Sequence, residues 1–280
     1  RHLMLAPAEL WHSGAVRFDP SKRPTVASFG LWCLVVFALY VLRDALRGIE
    51  AVHGFVIAFV MVSGAAIGTC VFLARADETT KEAAPGALVG VLLVVFGGAM
   101  GRSMGQYVLL YGAGALFLSA RLGVALGRRA SHARYLWPLV IVAVGVTVWS
   151  AWTPSGLPHR LLFDRPPKSL LTSTMLTLPI PGMVYESVLG LADVLFTGLL
   201  LGLVRRGGLS MVRAVVGLVM GGVVFLMVHL SSGLLLPVLV FSGPAVALAL
   251  GRTVAPRRGE MGLALVFLPL VWGIGLLVQP

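Results

Sequence analysis

Side chains that could do chemistry are few in this sequence of 280 residues. The ionisable ones inside apolar stretches are Glu186, Asp193 and His229. Each is a candidate functional residue, because an ionisable group in hydrocarbon is costly unless it has a partner. A hydroxyl-rich segment precedes them and contains Thr172, Ser173 and Thr174. These hydroxyls offer a nucleophile or an attachment point, although helix caps and turns use the same residue types.

Glu186 and Asp193 are seven residues apart, so a continuous helix places them on one face but about 10 Å apart along its axis. At that separation the two carboxyl groups cannot share a proton directly. Glu186 is close enough to the end of its apolar stretch to be solvated. Asp193 lies deeper, and we expect it to pair with His229 or Arg102, or to be protonated.

Two prolines, Pro237 and Pro244, lie in or beside apolar stretches and predict broken helices. Membranes tolerate such breaks where they are buried in protein or line a cavity. Together with the three ionisable residues, these prolines are the candidates for an ion pathway. The two cysteines, Cys33 and Cys70, lack the spacing of metal ligands, and no metal site is predicted.

The composition indicates that membrane helices position these residues. Hydrophobic residues make up 58% of the chain, charged residues 12%, and the mean hydropathy is +0.94. We predict an all-α, polytopic membrane helical bundle with about nine transmembrane helices, some of them broken. The predicted spans are 26–42, 54–74, 85–101, 106–126, 135–152, 184–204, 211–230, 234–250 and 261–278. Residues 1–25 form a cytoplasmic or interfacial lead-in, and residues 26–280 form a single transmembrane domain with an outer loop at 153–183.

The distribution of basic residues predicts the orientation, because translocation of Lys and Arg is resisted. With the N-terminus inside, fifteen of the 22 lie on inner connections and six on outer connections. This favours a protein of the bacterial inner membrane with a cytoplasmic N-terminus and a periplasmic C-terminus. The net charge of +11 then reflects topology and contact with anionic membrane lipids, and no nucleic-acid partner is expected.

The predicted outer loop at 153–183 differs from the other connections in its length. Its prolines forbid a continuous helix, and long loops in compact proteins tend to be functional. Its apolar part, 170–178, is too short to span a membrane, which leaves a re-entrant or interfacial piece as the expectation.

Several short motifs in the C-terminal part of the chain resemble those of one family. They are Ile180-Pro181-Gly182 followed by Glu186-Ser187, then His229-Leu230-Ser231-Ser232-Gly233, and then Phe241-Ser242-Gly243-Pro244. In this order they resemble motifs of the RnfD-type family of membrane proteins, whose members belong to the Rnf electron-transport complex and to the sodium-translocating NADH:quinone oxidoreductase.

This resemblance implies a flavin site and an electron-transfer function. In the family, a threonine of an outer-side loop holds FMN through a phosphoester bond, and Thr174 is the matching residue here, with Ser173 and Thr172 beside it. The protein is then expected to be a flavoprotein subunit of an ion-motive translocase that couples electron transfer to ion movement. It would act only together with other membrane subunits of a complex.

Two other functions stay open. One is that of a non-enzymatic membrane transporter or an assembly scaffold subunit. The other follows from Gly190-Leu191-Ala192-Asp193 and Leu236-Pro237, which resemble the Gly-x-Gly-Asp and proline-containing motifs of presenilin-type intramembrane aspartyl proteases. That chemistry needs two aspartates that share a proton. No second aspartate lies in a preceding span, so an active protease is not expected.

Overall fold

The computed structural model describes residues 24–46, 48–76, 80–100, 105, 107–130, 132–152, 175–181, 186–232, 237–255, 259, 261–262 and 266. Over these residues the chain forms eight α-helices and one two-stranded antiparallel sheet. The helices are α1 (Pro24–Ala45), α2 (Ala51–Arg75), α3 (Thr80–Met100), α4 (Gly112–Arg129), α5 (Leu136–Trp152), α6 (Leu191–Arg206), α7 (Met211–Ser232) and α8 (Leu239–Leu250). The strands are β1 (Met175–Leu178) and β2 (Glu186–Gly190), between α5 and α6. A π-helical turn (Tyr107–Tyr111) leads into α4, and 3₁₀ turns (Ala133–Tyr135, Gly251–Val254) precede α5 and follow α8.

Four helical segments are long and apolar enough to cross a membrane: Pro24–Ala45, Ala51–Arg75, Tyr107–Arg129 and Met211–Ser232. The protein is therefore a multi-pass membrane protein, and its helical fold class is confirmed. The expectation of nine spans is wrong for the part of the chain that the structure describes. Three further apolar helices are shorter, and 261–278 lies almost wholly outside the described residues. A short helix crosses only part of a hydrocarbon layer about 30 Å thick, because each residue adds about 1.5 Å.

The predicted span 184–204 is not one helix. Its first described residues form β2, and α6 begins only at Leu191. Glu186 and Asp193 therefore do not share a helical face, and the prediction that they do is wrong. Val188 and Leu189 of β2 are buried. Hydropathy does not reveal the change of structure, because a buried strand and a buried helix are equally apolar.

A β-hairpin, whose first strand lies in the predicted outer loop and whose second strand lies in the predicted span 184–204, packs inside the bundle. β1 pairs with β2 from Met175 opposite Gly190 to Leu178 opposite Glu186, with a bulge between Leu176 and Thr177. The side chains of Leu176, Leu178 and Ile180 are almost completely buried among the helices. The hairpin is thus part of the hydrophobic core, and the remainder of the predicted loop, 153–174 and 182–183, lies outside the described residues.

Glycines bring two helices that are distant in sequence into close contact. Gly123 and Gly127 of α4 face the backbone of α6, and Gly198 and Gly202 of α6 face the backbone of α4. A side chain at any of these positions would overlap main-chain atoms of the other helix. Small residues at such spacing allow helices in a membrane to pack backbone to backbone. The order of these contacts along both helices shows that α4 and α6 run parallel.

Arg128 places the ends of α2 and α4 at the same end of the bundle. Its guanidinium Nη2 donates to three carbonyl oxygens at the C-terminal end of α2, those of Leu73 (2.9 Å), Ala74 (3.0 Å) and Ala76 (2.6 Å). These carbonyls lack intrahelical partners, and the arginine satisfies them. Because α6 runs parallel to α4, its basic last turn lies at this end too. We call this the arginine end.

Candidate functional site

The site is built around Asp193, which lies in the first turn of α6. Its carboxylate Oδ1 accepts a hydrogen bond of 3.1 Å from the backbone N–H of Leu239, the first residue of α8. The backbone N–H of Gly190, the last residue of β2, also donates to this carboxylate. Asp193 thus joins three elements: it begins α6, binds the end of β2 and binds the start of α8.

Contacts with α2 show how deep Asp193 lies. Near one end of α2, Gly54 contacts Pro181, which follows β1. Near the arginine end, the Sγ of Cys70 donates to the carbonyl oxygen of Val194 at 3.8 Å. Positions 54 and 70 are separated by about 24 Å of helix. The hairpin therefore runs alongside α2, and Asp193 lies inside the bundle, on the far side of the hairpin from Pro181.

Both helices that meet at Asp193 are short. α6 has 16 residues and α8 has 12, which correspond to about 24 Å and about 18 Å. The N-terminus of a helix carries unsatisfied N–H groups and a partial positive charge. The carboxylate of Asp193 lies where two such N-termini meet, and their dipoles and N–H groups stabilise its charge.

Among the described residues, the partners of Asp193 are main-chain groups and not His229. His229 lies instead against Phe225, with ring centroids 5.6 Å apart, and against Phe55 at 5.3 Å. Arg102 lies outside the described residues. Among the residues that the structure describes, no basic side chain forms a salt bridge with Asp193. Asp193 as a whole residue is half-buried.

The two prolines behave differently. Pro237 lies two residues before Leu239, the start of α8, and its carbonyl oxygen accepts the N–H of Val240 at 3.1 Å. Residues 233–236 lie outside the described residues, so the helix break expected at Pro237 stays a prediction. Pro244 lies within α8, which continues to Leu250 without a break. The break expected at Pro244 is therefore not observed. The proline that matters for the site is Pro237, because it sets where the N–H of Leu239 meets the carboxylate.

The remaining predicted site residues are placed only in part. Thr172, Ser173 and Thr174 lie outside the described residues, so the FMN site stays a prediction. Glu186 is the first residue of β2, and Gly190 is the last residue of the same strand. The covered part of the chain contains no group of three or more His, Cys, Asp or Glu side chains that could hold a metal ion.

Several polar groups of the interior were not predicted from the sequence. On α2, Ser63 Oγ and Thr69 Oγ1 are buried and have no hydrogen-bond partner among the described residues. The donor to Asp193 is a backbone N–H, which every residue except proline carries. The one available signal was the closeness of Pro237 to Leu239, since a proline often stands where a helix begins.

Comparison of the sequence with protein-family models and with characterised proteins, and comparison of the fold with solved structures, gives no match.

Proposed function

We propose that this protein is a presenilin-like membrane protein that binds polypeptide segments within the membrane at Asp193. The observation that carries the proposal is the hydrogen bond from Leu239 to Asp193. It joins Asp193, the last residue of the presenilin-like segment Gly190 to Asp193, to Leu239, two residues after the proline of the presenilin-like Leu236-Pro237, although the bonded residues are 46 positions apart. The resemblance to Rnf-type membrane proteins requires no such contact.

We expect binding without cleavage, because the structure describes one carboxylate at the site, that of Asp193. Hydrolysis by aspartates needs one carboxylate as base and one carboxylic acid, close enough to share a proton. The other described aspartate, Asp44, lies at the end of α1, and Glu50 precedes α2. Both are exposed, and both are distant from the half of α2 that leads to the arginine end, beside which Asp193 lies. With no second carboxylate beside it among the side chains that the structure describes, Asp193 can accept a hydrogen bond from a peptide N–H but does not complete the hydrolytic pair.

The hairpin supports a bound segment in extended form. Met175 and Gly190 pair at the end of the sheet next to Asp193. Extended peptides bind proteins by adding to the edge of a sheet, where main-chain groups supply the hydrogen bonds. A membrane helix that unwinds needs such partners, because the hydrocarbon layer supplies none.

Peptide binding in nanodiscs tests the proposal. Energy transfer is measured between the labelled protein and a single-span peptide that has a central Gly-Pro pair. We expect Asp193→Asn to weaken binding about tenfold, the range of a hydrogen bond to a charged group, and Asp44→Asn to leave it unchanged. Equal affinity of Asp193→Asn and the unmodified protein contradicts the proposal. Peptide fragments that appear only when Asp193 is present identify a protease instead.

A flavin-holding subunit of an ion-motive complex is the second candidate. The observation that favours it is that the chain directly after Thr174 is anchored, since β1 begins at Met175 and is paired and largely buried. The protein is produced with a flavin transferase and inspected for fluorescence on a denaturing gel. A fluorescent band that is lost in Thr174→Val and kept in Thr172→Val supports the covalent FMN, and a protein without fluorescence contradicts it.

The orientation is proposed with the arginine end in the cytoplasm. The basic last turns of α2, α4 and α6 lie there together. Retention of basic residues on the cytoplasmic side is the strongest determinant of topology. Pro181, which contacts Gly54 of α2, then faces the periplasmic half of a bacterial inner membrane.

A further inference from the structure

Five arginines from four helices lie exposed at the arginine end. They are Arg75 at the end of α2, Arg129 at the end of α4, Arg205 and Arg206 at the end of α6, and Arg213 in the first turn of α7. We call these five residues the arginine surface. They are separated by up to 138 positions in the sequence, so only the fold brings them together.

Internal contacts fix this arrangement. The bonds from Arg128 to the end of α2 bring Arg75 and Arg129 to one level. Gly127 packs against the backbone of Leu199 and Leu203, which brings the last turn of α6 beside that of α4. Arg128 itself is half-buried and donates these bonds, whereas the five arginines of the arginine surface are exposed.

Among the acidic residues whose side chains the structure describes, Asp44 and Glu50 lie at the opposite end of the bundle and Asp193 lies inside it. Arg75 and Arg129 end helices that are long and apolar enough to cross a membrane, and Arg213 lies in the first turn of a third, so these arginines lie at the level where hydrocarbon gives way to lipid headgroups. Tyr135, which is 37% exposed, lies at the same end beneath the guanidinium of Arg134 at 5.8 Å. Tyrosine is enriched at this level of a membrane.

We infer that the arginine surface binds the phosphate headgroups of anionic phospholipids. Guanidinium groups bind phosphate through two parallel hydrogen bonds, and basic residues near an anionic leaflet are each attracted to it. The lipid is the favoured occupant because three of the five arginines, Arg75, Arg129 and Arg213, lie at the ends of helices that are long and apolar enough to cross a membrane. The surface is separate from Asp193 and does not depend on the function proposed for that residue.

The test measures binding of fluorescent phosphatidylglycerol and phosphatidylcholine to the protein purified in detergent. We expect phosphatidylglycerol to bind more tightly, and Arg205→Gln/Arg206→Gln to weaken it more than tenfold, at about fivefold for each arginine. Arg205→Lys/Arg206→Lys should lose less, because the charge is kept and the two-point geometry is lost. Arg43→Gln, in the last turn of α1 beside Asp44, is the matched control and should bind normally.

Three results overturn the inference. They are equal binding of the two lipids, equal losses in the control and the double variant, and displacement of the lipid by inorganic phosphate at millimolar concentration, which would identify a site for free phosphate. The melting temperature of each variant in detergent is recorded alongside. A double variant that melts like the unmodified protein and still binds phosphatidylglycerol normally also overturns it.

Discussion

The backbone N–H of Leu239 donates a hydrogen bond of 3.1 Å to Oδ1 of Asp193, and this single bond connects the N-termini of two short helices. A carboxylate between two helix N-termini is stabilised by both dipoles. The arrangement explains how an acidic residue is accommodated inside an apolar bundle without a basic partner among the described residues. It also predicts how the bundle responds when the carboxylate is changed.

Replacement of Asp193 should loosen α8. Asp193→Ala leaves the N–H of Leu239 without its acceptor, and we expect a loss of about 2 kcal/mol in the free energy of unfolding. Asp193→Asn keeps an acceptor oxygen and should lose about half as much. Unfolding by sodium dodecyl sulfate in mixed micelles measures both, with Asp44→Ala as the exposed control. An Asp193→Ala protein as stable as the unmodified one would show that the bond is not a structural link.

Removal of the Arg128 side chain should destabilise the end of α2. Arg128→Ala leaves the carbonyls of Leu73, Ala74 and Ala76 without their common donor, which we expect to cost about 3 kcal/mol. Arg129→Ala removes an exposed neighbour and should change stability by less than about 0.5 kcal/mol. The same unfolding measurement compares the two variants. Similar losses in both would mean that charge at this end matters and the specific bonds do not.

A larger residue at Gly127 or Gly198 should prevent α4 and α6 from packing. Gly127→Leu and Gly198→Leu place side chains where the main chain of the other helix lies, so we expect losses of about 3 kcal/mol or more. Gly98→Ala is the control, because no atom lies within 4 Å of the added methyl group. The fraction of monodisperse protein on size-exclusion chromatography reports the result. Normal yields of both leucine variants would contradict the parallel pairing of the helices.

Labelling from the two sides of the membrane tests the orientation. In a background of Cys33→Ser and Cys70→Ala, cysteines are placed at the exposed positions Asp44 and Arg206. An impermeant maleimide should label Asp44→Cys in intact cells and Arg206→Cys only after the cells are opened, because basic ends stay in the cytoplasm. The reverse pattern would place the arginine end outside.

Composition and charge by themselves determined that this chain is a multi-pass membrane protein. Both signals are local, because each apolar run needs hydrocarbon and each basic residue resists translocation wherever it occurs. For the same reason, both ends of α1, α2 and α7 agree with the predicted spans to within a few residues. The importance of Asp193 was also visible, since an acidic residue in an apolar run is rare.

Tertiary structure alone decided what Asp193 binds and where α6 begins. The partner of Asp193 is a main-chain N–H 46 residues away, and such a group leaves no mark in a sequence. The stretch before Asp193 became a strand because Met175 to Leu178 pairs with it, and a short apolar run takes helix or strand according to what it packs against. The meeting of α4 with α6 follows from glycines that become complementary only when the two helices lie parallel.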